Sequence, residues 1–194
     1  MKADVYRFFI GYEGSEDKIW RLVDVSSNYS LAKFGYLILP SFDTLAYHLF
    51  MFDCDGKNYQ VDPDPDFDEN SIDASLVKLS LLKLREEVQF KMIYDFGCDQ
   101  TFIIKLMEIR EMEKGQSTKY PCIIDGAGKG ILDDVPTSEF EKIVRKIDKI
   151  GKSEHYYFSP YGKEELWDYR EFNLDEANRI LKSDIAKIQM GFEG

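Results

Sequence analysis

Two strand-like segments separated by a short turn signal constrain the fold of this chain most. Residues 88–94 and 101–112 are rich in β-branched and aromatic side chains, and Asp95-Phe96-Gly97 lies between them. Aspartate hydrogen-bonds its own backbone in turns, and glycine adopts a positive φ without steric cost. The pattern therefore predicts a β-hairpin in which Asp95 starts the turn, Gly97 takes a positive φ and Asp99 leads into the second strand.

The remaining segments predict an α+β fold with largely antiparallel pairing. Strand pairs are interleaved with separate helices instead of alternating strictly with them. Predicted strands lie at 5–12, 18–25, 47–53, 58–61 and 121–124; helical turns lie within 76–84, and a helix after the first hairpin runs from Ser30 to about Pro40. Asp55-Gly56 favours a tight hairpin turn. At 194 residues, we expect one domain over 1–194.

Two amphipathic helices are predicted near the C-terminus. In the first, Ser138 and Glu141 have the spacing of a capping box, and an apolar stripe follows. In the second, Asn173 and Glu176 repeat this pattern. The two stripes are each followed by a glycine in the position of a C-terminal cap, Gly151 and Gly191.

The charge balance disfavours some classes of partner. The chain has 25 Lys and Arg against 36 Asp and Glu, a formal net charge of −11. Nucleic-acid binding relies on cationic side chains that displace counterions from phosphates, and anionic membranes attract basic segments. Neither partner suits an acidic chain. We therefore expect an unknown protein or a small molecule as the partner.

Cysteine usage and the N-terminal residues indicate the cytoplasm. Cys54, Cys98 and Cys122 are too widely spaced for a zinc ribbon or a Cys-x-x-Cys pair, and an odd, sparse count suits reduced thiols. Charge and glycine interrupt the apolar residues at the N-terminus, so no signal-peptide core is indicated. No stretch approaches the roughly 20 apolar residues that span a bilayer.

Three motifs lack the companions that their functional versions need. A kinase Asp-Phe-Gly requires a Gly-rich loop, a partner lysine and a His-Arg-Asp loop, which this sequence does not contain. The segment DGAGKG from Asp125 to Gly130 lacks the spacing of a phosphate loop. The acidic loop from Asp62 to Asp73 has Phe67 and Asp73 where a calcium loop needs glycine and glutamate. We expect surface loops here, with no metal and no cofactor.

A few polar residues remain as a candidate catalytic site. His48 lies near Phe50 on a predicted strand, where a half-buried structural histidine and a functional one both fit the pattern. A functional His48 needs carboxylates brought close by the fold, and Asp95 and Asp99 are the candidates. Cys98 has acidic neighbours, which raise the pKa of a thiol and disfavour a nucleophilic role.

Six short segments occur in an order typical of one protein family. They are Ile19-Trp20-Arg21; Leu31-Ala32 with Phe34 and Leu37-Ile38; His48-Leu49 with Phe52; Tyr94-Asp95-Phe96-Gly97; Cys122 with Asp125-Gly126; and Phe172-Asn173-Leu174-Asp175-Glu176 with Asn178 and Leu181. Together they resemble the plasmid pRiA ORF-three-like family, whose small bacterial and archaeal members often have no assigned function. The resemblance implies the family's fold over most of the chain. Trp20, Arg21 and Tyr94, which lie in these segments, are candidate ligand-binding residues.

The chain departs from the family pattern at polar positions. The family continues Tyr-Asp-Phe-Gly with Asp-x-Trp-x-His, whereas this chain has Cys98, Gln100 and Phe102 at the corresponding places. A family histidine in the first helix is replaced by Gly35, and residues 130–136 replace a Pro-Pro-Glu-Asp-Cys-Gly-Gly stretch. If the family's polar residues form a site, this chain has lost several of them.

Three functional hypotheses follow. The losses favour a binding or accessory domain of the cytoplasm without evident catalytic machinery, and this is the function that we expect. The alternative is a metal-dependent hydrolase-type enzyme that uses His48, Asp95 and Asp99. The resemblance to a family associated with plasmids and mobile elements suggests nucleic-acid binding as a third hypothesis, which the negative charge disfavours.

Overall fold

The computed structural model describes residues 3–64, 70–159 and 162–194, and its architecture is α+β, as predicted. The strands are β1 (Asp4–Tyr12), β2 (Trp20–Ser26), β3 (Phe50–Cys54), β4 (Lys57–Gln60), β5 (Ile72–Asp73), β6 (Gln89–Tyr94), β7 (Gln100–Glu111), β8 (Cys122–Ala127), β9 (His155–Phe158) and β10 (Glu164–Trp167). The helices are α1 (Leu31–Ser41), α2 (Thr137–Ile150) and α3 (Leu174–Glu193), with short 3₁₀ turns at Leu79–Leu82 and Ser117–Lys119. In the described residues, no helix has the length and apolar character that crossing a membrane requires.

One mostly antiparallel sheet contains eight of these strands, in the order β5-β4-β3-β6-β7-β1-β2-β8. The predicted hairpin is confirmed as β6–β7, in which Tyr94 pairs with Gln100 across the turn. Side chains alternate between the two faces of each strand, so one face becomes continuously apolar. Its buried residues include Phe8, Ile10, Phe90, Met92, Phe102 and Ile104.

Helix α1 packs directly on this apolar face. Its predicted start is confirmed, because the Ser30 side chain accepts a hydrogen bond from the Lys33 backbone N at 3.2 Å. The ring of Phe34 lies 4.8 Å from that of Phe8 between centroids. Gly35 permits a close approach to β3, since a Cβ at this position would stand 2.2 Å from the Phe50 ring. The helix ends at Ser41, one residue after Pro40.

The start of α2 differs from the prediction. The helix begins at Thr137, and Pro136 occupies the capping position without a side-chain hydrogen bond. The predicted capping box of Ser138 and Glu141 is therefore wrong, because Ser138 already lies inside the helix. The predicted C-terminal cap is confirmed: Gly151 has φ 76° and donates its backbone N–H to the Ile147 carbonyl.

The end of α3 also differs from the prediction. Asn173 caps the helix as expected, accepting a hydrogen bond from the Glu176 backbone N at 3.0 Å. The helix continues through Gly191 to Glu193, so the predicted end before Gly191 is wrong. Packing explains the extension, because the Phe192 ring lies 5.4 Å from Tyr36 and 5.3 Å from Phe50 between centroids. These contacts outweigh the cost of about 1 kcal/mol for a glycine inside a helix.

The turn between β6 and β7 uses a different residue from the one predicted. Gly97 is not among the residues with positive φ, whereas Asp95 has φ 55° and Asp99 has φ 52°. The Asp95 side chain accepts a hydrogen bond from the Gly97 backbone N at 3.2 Å, which is the local bonding that lets aspartate occupy the left-handed region.

Several strand boundaries are also corrected. β3 begins at Phe50, so His48 lies in a bend before this strand and not on the predicted strand 47–53. The antiparallel pair β9–β10 has no counterpart in the sequence prediction. Ile72–Asp73, predicted as part of the acidic loop, pairs with β4 as β5. Asp66, Phe67 and Asp68 of that loop lie outside the described residues.

Candidate functional site

One end of the large sheet brings His48 and Asp95 together. β3 and β6 are antiparallel with Phe50 paired to Tyr94, so the residues just before Phe50 and just after Tyr94 emerge at the same end. The Asp95 backbone N donates to the Leu49 carbonyl at 3.1 Å, which extends this pairing beyond the strands. Two side chains that are far apart in sequence therefore become neighbours through sheet register.

A third segment reaches this end of the sheet between β8 and α2. Gln100, which is fully buried, donates from Nε2 to the carbonyls of residues 132 and 135, at 2.7 and 3.0 Å. The Tyr94 hydroxyl donates to Asp133 Oδ1 at 2.6 Å. These contacts fix the segment so that Asp134 lies beside His48.

His48, Asp95 and Asp134 form the centre of the site. His48 Nε2 lies 2.8 Å from Asp134 Oδ1 and 3.5 Å from Asp95 Oδ2, and one ligand atom from each residue falls within 4.8 Å of the others. The Tyr47 hydroxyl donates to the second oxygen of Asp134. Exposure increases from Asp95, which is buried, through His48 to Asp134, which is exposed. The centre therefore has a buried base and an open outer side.

Asp95 contributes a buried oxygen without a hydrogen-bond partner. The residue is 6% exposed, and its Oδ2 atom makes no hydrogen bond with the described residues. Leaving such an oxygen unsatisfied costs about 1–3 kcal/mol, more for a charged group. Because this atom faces His48 Nε2, the unsatisfied acceptor points into the centre of the site.

Two adjacent carboxyl groups at the site have pKa values that are shifted in opposite directions. The Tyr47 hydroxyl lowers the pKa of Asp134 below its ordinary value, burial opposes this effect, and His48 adds to the lowering. Burial raises the pKa of Asp133, although Tyr94 and the Leu45 backbone N both bind its carboxylate. Asp134 is thus the carboxylate that remains ionised most readily, whereas Asp133 has the stronger tendency to hold a proton.

The backbone around the site adopts unusual conformations. Ala46, Asp95, Asp99 and Asp134 all have positive φ, at 56°, 55°, 52° and 60°. Aspartate tolerates this region, but alanine there costs roughly 1–2 kcal/mol. Strained backbone of this kind tends to cluster at functional sites, where the surrounding structure holds it in place.

This arrangement has the composition of a metal centre. One imidazole nitrogen and two carboxylate oxygens suit zinc, manganese or iron, and three protein ligands leave a coordination position open. Atoms that share a tetrahedral ion at about 2.0 Å lie about 3.3 Å apart. The separation of 3.5 Å between His48 Nε2 and Asp95 Oδ2 is close to this value. The distance from His48 Nε2 to Asp134 Oδ1 is 2.8 Å, which is shorter than this value. The exposed Asp134 side chain would therefore move slightly outward to bind the same ion.

The structure brings together some of the site residues that were predicted from sequence and leaves others apart. His48 and Asp95 converge, whereas the carboxylate of Asp99 is not one of the three groups that meet. Asp134 was not identified from sequence, because only the contact between distant segments places it beside His48. Burial, with help from Asp95, raises the pKa of the Cys98 thiol to about 11, which keeps this thiol protonated near neutral pH.

The candidate ligand-binding residues also have separate locations. Tyr94 supports the site through Asp133, as described above. Trp20 stacks on Phe9 with ring centroids 5.7 Å apart. Arg21 is 1% exposed and lies on β2, where its guanidinium binds backbone carbonyls. Trp20 and Arg21 are therefore not part of the three-residue centre.

Comparisons with known proteins show the fold and the family. The crystal structure of a protein of unknown function, MM3350 from Methanosarcina mazei Go1, is similar with a TM-score of 0.70 and 18% sequence identity, covering 91% of this chain and 97% of that one. At this identity the likeness concerns the fold alone. No curated protein matches the chain. The family model described as plasmid pRiA4b ORF-3-like protein matches residues 4–176, and the chain therefore belongs to this family.

Proposed function

We propose that the protein is a metal-binding module that holds a divalent transition-metal ion with His48, Asp95 and Asp134. The observation that carries this proposal is the buried Asp95 Oδ2 atom, which has no hydrogen-bond partner and faces His48 Nε2 at 3.5 Å. Buried polar atoms are almost always satisfied by protein, water or an ion. A cation at the centre would satisfy this oxygen and neutralise both carboxylates.

The ligand set favours zinc, manganese or iron over calcium and magnesium. Calcium and magnesium prefer shells made entirely of oxygen ligands, whereas imidazole suits the transition metals. The hydrogen bond from Tyr47 to Asp134 would orient that carboxylate in a metal complex. Outer hydrogen bonds of this kind typically contribute 10–100-fold to metal affinity.

A hydrolase-type activity is the second candidate function. It is favoured by the number of protein ligands, because catalytic zinc sites use three and leave one position for a water molecule. The ion would lower the pKa of a water molecule bound at this position and so would activate it as a nucleophile. We prefer the binding role because Asp134 lies at an exposed outer surface, its side chain 64% exposed.

The setting of this module is inferred from charge and thiols. Cys54, Cys98 and Cys122 are free, which suits a reducing compartment such as the cytoplasm. The net charge of −11 favours a protein or small-molecule partner over nucleic acid.

Metal titration of the purified protein tests the proposal. After chelator treatment and dialysis, we expect Zn²⁺ or Mn²⁺ to bind with one-to-one stoichiometry in calorimetry. His48→Ala, Asp95→Asn and Asp134→Asn should each weaken binding by at least about tenfold, since each removes one ligand charge or donor. Asp99→Asn is the matched control, because it changes a carboxylate with the same backbone conformation outside the centre.

Two results would contradict metal binding at this site. One is wild-type protein that does not bind either ion at micromolar concentration. The other is an Asp95→Asn variant that binds as tightly as the wild type. Hydrolysis of an activated ester that depends on added metal and is lost in Asp95→Asn would favour the second function.

A further inference from the structure

A cavity beside the β3–β4 hairpin is separate from the three-residue centre. It encloses about 690 Å³, which lies within the usual range for small-molecule pockets. One wall is the hairpin, in which Cys54 pairs with Lys57, so that both side chains point to the same face of the sheet. The other wall is formed by residues 81–85 and 88–90, which lead into β6. None of the three residues of the centre lines this cavity.

The inner surface of this cavity is apolar. Cys54 and Phe90 are buried and belong to the hydrophobic core. Four partly buried side chains that pack against the core also line the cavity: Ile72, Val77, Leu82 and Leu84. Leu81 and Val88 line it as well and are exposed. An apolar group bound here would remove this surface from water, which favours binding.

The charged side chains around the cavity are mainly basic. Lys57, Lys83 and Arg85 line it, and Asp55 is the one acid among its described lining residues. The three basic side chains are exposed, and none of them forms an ion pair or a side-chain hydrogen bond with the described residues. These cations are therefore available to an external anion.

The two acids that follow Arg85 in the chain are bound elsewhere. Glu86 accepts a hydrogen bond from the Ile109 backbone N at 2.9 Å, and Glu87 pairs with Lys105. Both carboxylates thus bind groups on β7, and neither residue lines the cavity. A chain with a net charge of −11 consequently has a local excess of positive charge at this cavity.

Tyr59 adds a hydroxyl group without a hydrogen-bond partner. The residue lines the cavity, is 7% exposed and lies two positions after Lys57 on β4, on the same face of the sheet. Its hydroxyl makes no hydrogen bond with the described residues, whereas a buried tyrosine usually finds a partner. Burial raises the pKa of Tyr59, so the hydroxyl keeps its proton and can donate. An unpartnered donor beside unpaired cations indicates a negatively charged acceptor.

We propose that this cavity binds an organic anion, a carboxylate with an apolar body, whose oxygen atoms accept hydrogen bonds from the Tyr59 hydroxyl and the basic side chains. Lysine and arginine have long flexible stems, so the exposed side chains at 57, 83 and 85 can turn toward a bound carboxylate. Hydrogen bonds between ionised groups are about twice as strong as neutral ones. The apolar body lies on Phe90 and the aliphatic side chains of the cavity.

Three naphthalene derivatives of similar shape test the charge that the cavity selects. 2-Naphthylacetate carries a carboxylate, 2-(2-naphthyl)ethanol a hydroxyl and 2-(2-naphthyl)ethylamine an ammonium group. In nuclear magnetic resonance titrations, we expect the carboxylate to bind at millimolar concentration or below, at least about tenfold tighter than the alcohol. The amine should bind most weakly. The protein is first dialysed against a chelator, so that no ion at the His48 centre can bind the carboxylate and the result does not depend on the function proposed above.

Substitutions at the cavity locate the site. Tyr59→Phe removes only the hydroxyl and should weaken 2-naphthylacetate binding about threefold or more. The double substitution Lys83→Gln with Arg85→Gln should weaken it at least about tenfold. Asp55→Asn should strengthen it about twofold, because the lining loses its acid. Lys78→Gln is the matched control, since Lys78 is exposed in the same segment but does not line the cavity.

The proposal is overturned by any of three results. They are 2-naphthylacetate that does not bind at millimolar concentration, an alcohol or amine that binds as tightly, and a double variant that binds like Lys78→Gln. Circular dichroism verifies that each variant is folded. The double variant changes exposed side chains alone, so it decides the matter if Tyr59→Phe is unfolded.

Discussion

Gln100 is a single buried amide that determines where two carboxylates of the site lie. Its Nε2 atom donates hydrogen bonds to two backbone carbonyls of the segment that carries Asp133 and Asp134. Both bonds are made to the backbone of this segment and not to either carboxylate. Asp134 itself occupies the left-handed region with φ 60°. A carboxylate held by a strained backbone depends on such fixed contacts, because the chain would otherwise relax to a more common conformation.

Replacing Gln100 should therefore affect stability and the site together. Gln100→Met keeps the length of the side chain but removes the donors, which leaves two carbonyls without their bonds. We expect the free energy of unfolding to fall by about 2–4 kcal/mol and metal affinity to fall by about tenfold. Urea unfolding and calorimetry measure these effects. Gln89→Met, at an exposed position on β6, is the control and should change neither quantity appreciably. A Gln100→Met protein with the stability and metal affinity of the wild type would show that other contacts fix the segment.

The sequence predicts an individual element correctly where the residues that determine this element are close together in the chain. The β6–β7 hairpin and the Asn173 cap of α3 depend on residues within a few positions of one another, so the sequence alone reveals them. The start of α2 and the extension of α3 depend on packing between distant residues. The same reason applies to the site: His48 and Asp95 were identifiable as candidates, whereas Asp134 required the three-dimensional contact.

Two glycines inside helices should respond oppositely to the same substitution. Alanine favours helix over glycine by about 1 kcal/mol. At Gly191 an added Cβ meets no atom within 4 Å, so Gly191→Ala should stabilise the protein by about 0.5–1 kcal/mol. At Gly35 the Cβ would overlap the Phe50 ring at 2.2 Å, so Gly35→Ala should destabilise it by about 1–3 kcal/mol. Thermal unfolding of the two variants measures the difference, and a stabilised Gly35→Ala protein would refute the close packing of α1 on β3.

At the scale of the whole molecule, one buried carboxylate links three neighbouring strands of the large sheet, β7, β1 and β2. Asp24 on β2 accepts hydrogen bonds from Arg7 on β1 at 2.8 and 3.0 Å and from Arg110 on β7. Burial alone would raise the pKa of Asp24, but the hydrogen bonds from both arginines prevail and lower it. A group whose pKa is lower in the folded state stabilises the fold above its unfolded pKa, and this stabilisation is lost as the pH falls through the folded pKa.

The link at Asp24 predicts a pH-dependent effect of one substitution. At pH 7, Asp24→Asn should lower the free energy of unfolding by about 2–4 kcal/mol, because two partly buried arginines lose their counter-charge. The difference from the wild type should shrink as the pH falls below about 4, where Asp24 becomes protonated in the unfolded and then in the folded state. Chemical unfolding at several pH values measures this trend. A difference that stays constant between pH 7 and pH 3 would contradict the assigned ionisation.

The candidate ligands at positions 48, 95 and 134 come from three stretches that meet only through sheet register and the Gln100 contact. A synthetic peptide spanning any one stretch would carry only one of these three ligands, so we expect it to bind an ion weakly. Binding of metal during refolding would consequently report the assembly of this end of the molecule, and a fragment with only one of the stretches could not imitate it.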